Sequence, residues 1–241
     1  MKEYFKVLLE FNHKKLEDLI QKKAFNDKGY CCFVDLNSLV YSRKNPSFRK
    51  ILNNAVINSC DGSYIATAAS KIHGRKLKQY IGPDLFNKFI LNDGTHIILG
   101  STPEIYQKII NKINSKNSNL KYIDLPFKGV DEFNYYEISK KINDLKPNYI
   151  WVSLGAPKQE IFMSKILPFL NSGMMIGVGA ALNYFSGEIR DIPAWSKKFQ
   201  IVWVYRLITE PRKQFKRLKS IFLNFPQIII EEIIYVRNFN K

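Results

Sequence analysis

From about Tyr30 onward the apolar residues come in short, nearly unbroken runs separated by longer stretches with helical spacing. "YCCFVDL" is followed by "SFRKILNNA", and "AVINSC" by "SYIATAASKIH". The alternation continues with "THIILG" before 103–114, "NLKYIDL" before 133–145, "NYIWVSL" before 157–169, and then "GMMIGVG". A strand that is apolar on both of its alternating faces is buried on both, which is the condition of a parallel sheet covered by helices. The pattern therefore predicts an α/β fold: a Rossmann-like, mostly parallel sheet with helices on both faces. After about Pro193 the strands stop, and "RLITEPRKQFKRLKSIFLNFPQIIIEEIIYVRNF" reads as helices interrupted near Pro211 and Pro226. The expected division is an α/β domain over 1–195 and a helical appendage over 196–241.

Charge sharpens the reading of the tail. The chain of 241 residues carries 37 Lys and Arg against 21 Asp and Glu, a formal +16, so its surface suits phosphate-rich partners: nucleotides, nucleic acid or anionic lipid. Between Arg206 and Lys219 six basic residues stand against one acid, Glu210, with Phe215 and Leu218 spaced between them and Ile221 and Phe222 just beyond. That is a basic amphipathic surface suited to an anionic membrane face. The most apolar window, 166–185, is broken by Pro168, Asn171, Ser172 and three glycines, short of the roughly 20 clean residues a spanning helix needs. The N-terminal "MKEYFKVLLEFNHKK" is too charged for a signal peptide or anchor. Cys31, Cys32 and Cys60 show no disulfide or zinc spacing and read as reduced, buried thiols of an intracellular protein. His13, His73 and His96 are scattered singly, so no metal site is expected.

In an open parallel sheet, ligands bind beyond the carboxyl ends of the strands. Those ends read Asp35 to Asn37, Asp61-Gly62, Gly100 to Glu104, Gly155 to Glu160 and Gly177 to Gly187. Asp61 fits two roles, an N-cap for a helix starting near Ser63 or a general base. In "GAPKQE", Gly155 breaks the strand, Pro157 opens a helix, and Lys158, Gln159 and Glu160 fall in its first turn, where free N–H groups favour an anion; ordinary solvated side chains are the alternative. "GVGAALNYFSG" lacks both the Lys-Ser/Thr of a P-loop and the third glycine of a dinucleotide turn. That absence speaks against a cofactor-dependent oxidoreductase. A basic nucleic-acid-binding α/β protein would account for the charge, although no nucleic-acid module is present.

Taken in order, "DGSYIATAASKIHG", "YIGPDLF", "WVSLGAPKQE", "GVGAALNYFSGEIRDIPAW" and "VWVYRLITEPRK" resemble the motifs of the WecG/TagA/CpsF family of bacterial glycosyltransferases. The likeness covers roughly Tyr30 to Arg217. It implies transfer, with inversion and without a metal or other cofactor, of an N-acetylmannosamine-type sugar from a UDP-sugar to a prenyl-diphosphate-linked sugar, in the making of cell-surface polysaccharide or teichoic-acid-type polymers. It also implies a cytoplasmic enzyme held peripherally at the inner face of the membrane through its C-terminal appendage. Carried over residue by residue, the expected catalytic set is Asp61 as the family's proposed base, Asn37 from its strand-end Asn and Gln159 from its motif Gln, with its motif Arg falling on Arg206. Gly62, Asp84, Gly100, Gly155, Lys158, Glu160, Gly179 and Asn183 are the expected substrate contacts, and Arg206, Arg212, Lys213 and Arg217 the expected clamp on the UDP diphosphate. Asp35 stands where Thr is common, Asn183 where Asp is common, and Val202 where Glu is common. Nucleic acid is not an expected partner, and a homo-oligomer is left open.

Overall fold

The computed structural model describes residues 1–113, 119–190, 193, 195–196, 202–209 and 211–239; the side chains of 202, 203, 206, 212–222 and 239 lie outside that description. A short antiparallel hairpin, β1 (Lys2–Tyr4) and β2 (Val7–Leu9), comes first, followed by α1 (His13–Asn26). The main body then runs β3 (Lys28–Val34), α2 (Leu36–Lys44), α3 (Pro46–Asn53), β4 (Ile57–Cys60), α4 (Ser63–His73) and α5 (Gly82–Phe89). It continues through β5 (His96–Leu99), α6 (Pro103–Ile113), β6 (Leu120–Ile123), α7 (Tyr135–Asp144), β7 (Tyr149–Val152), α8 (Lys158–Ile166), β8 (Gly173–Gly177) and α9 (Ala181–Ser186). Two further helices, α10 (Val202–Thr209) and α11 (Pro211–Phe239), complete the described chain.

Six strands form one sheet in the order β4-β3-β8-β7-β5-β6, and every neighbouring pair is parallel. β3, β4, β5, β7 and β8 are buried along almost their whole length, which is why their sequences are apolar without alternation. One apolar layer is built from α2, α3, α4, α7 and α8, the other from α1, α5, α6 and α9. The register aligns the strand ends in a row, pairing Val34 with Cys60, Gly177 with both Cys32 and Val152, and Leu99 with both Val152 and Ile123. β3 and β7 send the chain to one face while β8, between them, sends it to α9 on the other. Loops that diverge this way open a crevice above β8.

The histidine at the heart of the second layer is structural. Trp151 can only donate through Nε1, and it does so to His96 Nδ1 at 3.1 Å, so the imidazole proton sits on Nε2 and is shared with the Asn92 carbonyl at 3.0 Å. Burial pushes the His96 pKa down to about 4, and the ring is a neutral member of a Tyr149–Trp151–His96 stack. Cys31, Cys32 and Cys60 are free and buried, and burial raises each thiol far above its usual range.

Two features depart from expectation. Pro226 lies inside an unbroken helix rather than ending one. A proline there removes one backbone hydrogen bond and costs about 3 kcal/mol, and the loss is offset because the same stretch packs on the core through Ile228, with Phe225 and Ile229 against it. The N-terminal hairpin carried no turn signature, since Phe5 and Lys6 both adopt positive φ (55° and 63°) without being glycine. α11 holds that turn in place: the Phe5 N–H donates to Glu232 Oε2 at 2.7 Å and Lys6 Nζ pairs with Glu231. Glu232, only 3 % exposed, also accepts from His73 at 2.8 Å, while Arg43 of α2 reaches Gln227 and Glu231. No helix among the described residues is long and apolar enough to cross a membrane.

Candidate active site

The opening of α8 is tied to the end of β8 by one side chain. Gly155, at φ +74°, takes the left-handed conformation that turns the chain out of β7, and α8 begins three residues later. Gln159 then points inward, 4 % exposed. Its Oε1 accepts the Gly179 N–H at 3.1 Å, and its Nε2 donates to the Gly177 carbonyl at 3.3 Å and to Glu160 Oε1 at 2.8 Å. A backbone donor on one side and a carbonyl on the other fix which way the amide faces. Ser153 Oγ, donating to the Gly179 carbonyl at 2.8 Å, secures the same turn from β7. Gln159, expected as a catalytic residue, therefore braces the wall of the crevice, with both its Oε1 and its Nε2 bonded to the protein.

Burial also rules out the solvated alternative for Glu160, which is 1 % exposed. Its Oε2 has no hydrogen-bond partner, and desolvation, reinforced by the charge of Asp35, raises its pKa to about 7. Lys158, by contrast, turns away from the crevice. Its ammonium donates to the Lys128 carbonyl and lies over the rings of Phe133 (5.1 Å) and Phe127 (5.6 Å) in the loop after β6.

On the other flank, Asp35 caps α2. Its Oδ1 accepts from the Ser38 N–H and Ser38 Oγ, both at 2.8 Å, and its Oδ2 accepts from Asn37 Nδ2 at 3.3 Å. Asp35 thus serves as a helix cap, and it orients Asn37. One strand over, Asp61 follows β4 directly, its N–H held by the Val34 carbonyl at 3.0 Å. The cap position of α4 belongs to Gly62, without a side-chain cap bond. Asp61 stands one residue ahead of it. The chain returns to this corner through Tyr80, whose N–H donates to the Cys60 carbonyl at 2.9 Å, and α5 then starts against β8: a Cβ on Gly82 would lie 3.3 Å from the Val178 carbonyl. Asp84 sits in the first turn of α5, beside that contact.

Gly100, at φ +69°, ends β5 against Ser153 and Leu154, and Asn183 lies in α9, its carbonyl accepting from the Ile189 N–H. The side chains of Arg206, Arg212, Lys213, Arg217 and Val202 lie outside the described residues. The sheet thus gathers Asn37, Asp61, Gly155, Gln159, Glu160 and Gly179 along one row of strand ends.

A strand-end carboxylate beside a glycine-lined crevice is shared by many α/β enzymes, and fold alone does not choose among them. The profile of the glycosyl transferase WecG/TagA/CpsF family matches residues 7–238. The chain belongs to this family. Among similar curated proteins, the N-acetylglucosaminyldiphosphoundecaprenol N-acetyl-beta-D-mannosaminyltransferase of Staphylococcus aureus strain NCTC 8325 / PS 47 is 27% identical over 191 residues, covering 75% of this chain and 72% of that protein. The protein of the same description from strain MRSA252 shows the same identity and coverage. As a member of the WecG/TagA/CpsF family the chain is a glycosyltransferase.

The brace gives a local test. A Cβ at Gly177 would lie 2.8 Å from Met163 Cε and 3.1 Å from Gln159 Nε2. Met163 is flexible and gives way, whereas Gln159 does so only by loosening its bonds. Gly177→Ala is expected to lower turnover on the order of tenfold to a hundredfold, as small displacements in active sites do, with melting temperature changed by only a few degrees. Unchanged turnover in transfer assays would show that the Gln159 brace does not shape the site.

Proposed function

We propose that the chain transfers an N-acetylmannosamine-type sugar from a UDP-sugar to a prenyl-diphosphate-linked amino sugar, with inversion and without a metal ion. The observation that carries the reading is the position of Asp61, at the end of β4, ahead of a helix cap supplied by Gly62. Family membership and the acceptor and sugar that the relatives are named for support it.

In this mechanism the acceptor hydroxyl attacks the anomeric carbon from the face opposite UDP, and the Asp61 carboxylate takes its proton as the new C–O bond forms. The bond to the UDP oxygen breaks, and the departing diphosphate gains negative charge. Fixed cations and N–H groups meet that charge, which assigns Arg206, Arg212, Lys213 and Arg217 to the leaving group. Asn37, oriented by Asp35, and the Gly155 and Gly179 turns, held by Gln159, shape the sugar pocket. Asp84 and Gly62 line its other side.

The surplus charge then has a use at a membrane, where each basic residue near an anionic leaflet contributes on the order of 1 kcal/mol. The enzyme would work at the cytoplasmic face, on an acceptor anchored in the bilayer, with 196–241 as its membrane-facing unit. Among the described residues no three His, Cys, Asp or Glu side chains cluster as metal ligands. Transfer from a UDP-sugar, read by product mass, is expected to survive excess EDTA at the full rate. Loss with chelator and recovery with Mg²⁺ or Mn²⁺ would overturn the leaving-group assignment, and failure with every UDP-sugar would overturn the donor.

A further inference from the structure

We propose that Glu160 is a positioning residue that works as a neutral acid, holding Gln159 and the Gly177–Gly179 turn in their working arrangement only while it carries a proton. This rests on the transferase reading of the site and deepens it. Glu160 is almost fully buried, and one of its two oxygens finds no hydrogen-bond partner among the described residues. The other accepts the Gln159 amide, the same amide that reaches the Gly177 carbonyl by its longest bond, 3.3 Å. With the proton on, Glu160 offers Gln159 an ordinary carbonyl acceptor, and one Nε2 hydrogen goes to Glu160 while the other goes to Gly177. With the proton off, a bare buried carboxylate pulls harder on every N–H in reach. The Gln159 amide is drawn toward it, and the long Gly177 bond is the one that stretches.

Among the described residues, the surroundings offer the charged form no cation. On its own helix, Lys158 turns to the Lys128 carbonyl and Lys165 pairs with Asp131. β8 carries no charged residue, and β3 faces Glu160 with the Cys32 thiol. On α3, Arg49 lines the cleft beside α11 and Lys50 is exposed. Glu137, Lys140, Lys141 and Asp144 of α7 are exposed, as are Asp131 and Glu132 before it. The charge that does reach Glu160 is that of Asp35, and it opposes ionisation.

The readout is the pH profile. With Glu160 titrating at about 7, the protonated fraction falls about tenfold between pH 6 and pH 8. Wild-type kcat for sugar transfer is expected to follow it, falling about tenfold over that range with little change in donor KM. Glu160→Gln keeps the carbonyl acceptor and cannot ionise, so it should retain the wild-type pH 6 rate within about threefold and lose the alkaline fall. Glu160→Ala should be slow at every pH. Asp35→Asn should move the wild-type alkaline limb to lower pH, whatever it does to the rate plateau. An alkaline limb that persists in Glu160→Gln overturns the proposal, as does a folded Glu160→Gln as slow as Glu160→Ala.

A second measurement separates this from the transferase reading. A group whose folded-state pKa lies above its unfolded value gives stability that is present at low pH and lost as pH rises toward the folded value. The melting temperature of the wild type should therefore fall between pH 5 and pH 8 relative to that of Glu160→Gln. If the wild type transfers no sugar at any pH, the reading of the site fails. If it does transfer and the two melting curves keep parallel pH dependence, Glu160 is not the proton holder.

Discussion

Replacing Asp61 by Asn is expected to lower sugar transfer by about 100-fold or more, the usual scale for a missing general base, while the protein stays folded. Stability should be nearly unchanged because Asn keeps the backbone N–H held by Val34, the side-chain shape and one acceptor oxygen. Asn fills the same volume but cannot accept the acceptor's proton. The check is steady-state transfer to a short prenyl-diphosphate-linked acceptor, alongside thermal unfolding of both proteins. Near-normal turnover in the folded variant would move the base elsewhere, with Asp35 as the next strand-end carboxylate to test.

The second large effect is expected from deleting residues 208–241. Seen as a sequence, this tail is an appendage whose loss spares the α/β core. The structure gives its far half a place in that core. Deletion removes the buried Ile228, worth about 1.5–3 kcal/mol by the area it covers, and takes Glu232 from the Phe5 N–H and His73, about 1–3 kcal/mol for a buried donor left without its acceptor. Against a typical total of about 5–15 kcal/mol, the melting temperature should drop by about ten degrees or more, and binding to anionic vesicles should vanish with it. A gentler change separates the two roles. Exchanging Arg212, Lys213, Lys216, Arg217 and Lys219 for Gln leaves Ile228 and Glu232 in place, so stability should hold while vesicle binding is lost. In the wild type that binding should weaken with salt, since exposed charges reach only about 8 Å at physiological ionic strength. A truncated protein that melts like the full chain and transfers to a soluble acceptor at the full rate would show that α11 neither braces the core nor serves the reaction.

Much of this was legible in the chain itself. Buried parallel strands announce themselves as unbroken apolar runs, and glycines and carboxylates cluster where those runs stop, so the sheet and the row at its edge could both be read. What escaped depends on contacts distant in sequence. The Phe5–Lys6 turn has no glycine or asparagine and is held by Glu231 and Glu232, more than two hundred residues away. Pro226 sits inside a helix because the turn around it packs on the core. Glu160 and Gln159 read as first-turn polar residues with equal claim to water, and only the approach of β8 buries them. Asp61 and the cap of α4 differ by one residue, finer than periodicity resolves. Asp35 could have been recognised as a cap from the Ser three positions on, but its hold on Asn37 is purely three-dimensional.

α11 runs for 29 residues without a break, about 43 Å at 1.5 Å per residue. Its distal half is pinned by Glu232, Ile228 and the pairs to Arg43 and Lys6, and its basic half belongs to the same rod. A rod fixed at one end is a gauge. With the basic half at a lipid surface, as proposed above, the stand-off of the crevice would be a property of the fold rather than of a loose tether, so lengthening the rod by one turn would lift the crevice by about 5 Å and leave a membrane-anchored acceptor short of it, though a soluble one would still be reached.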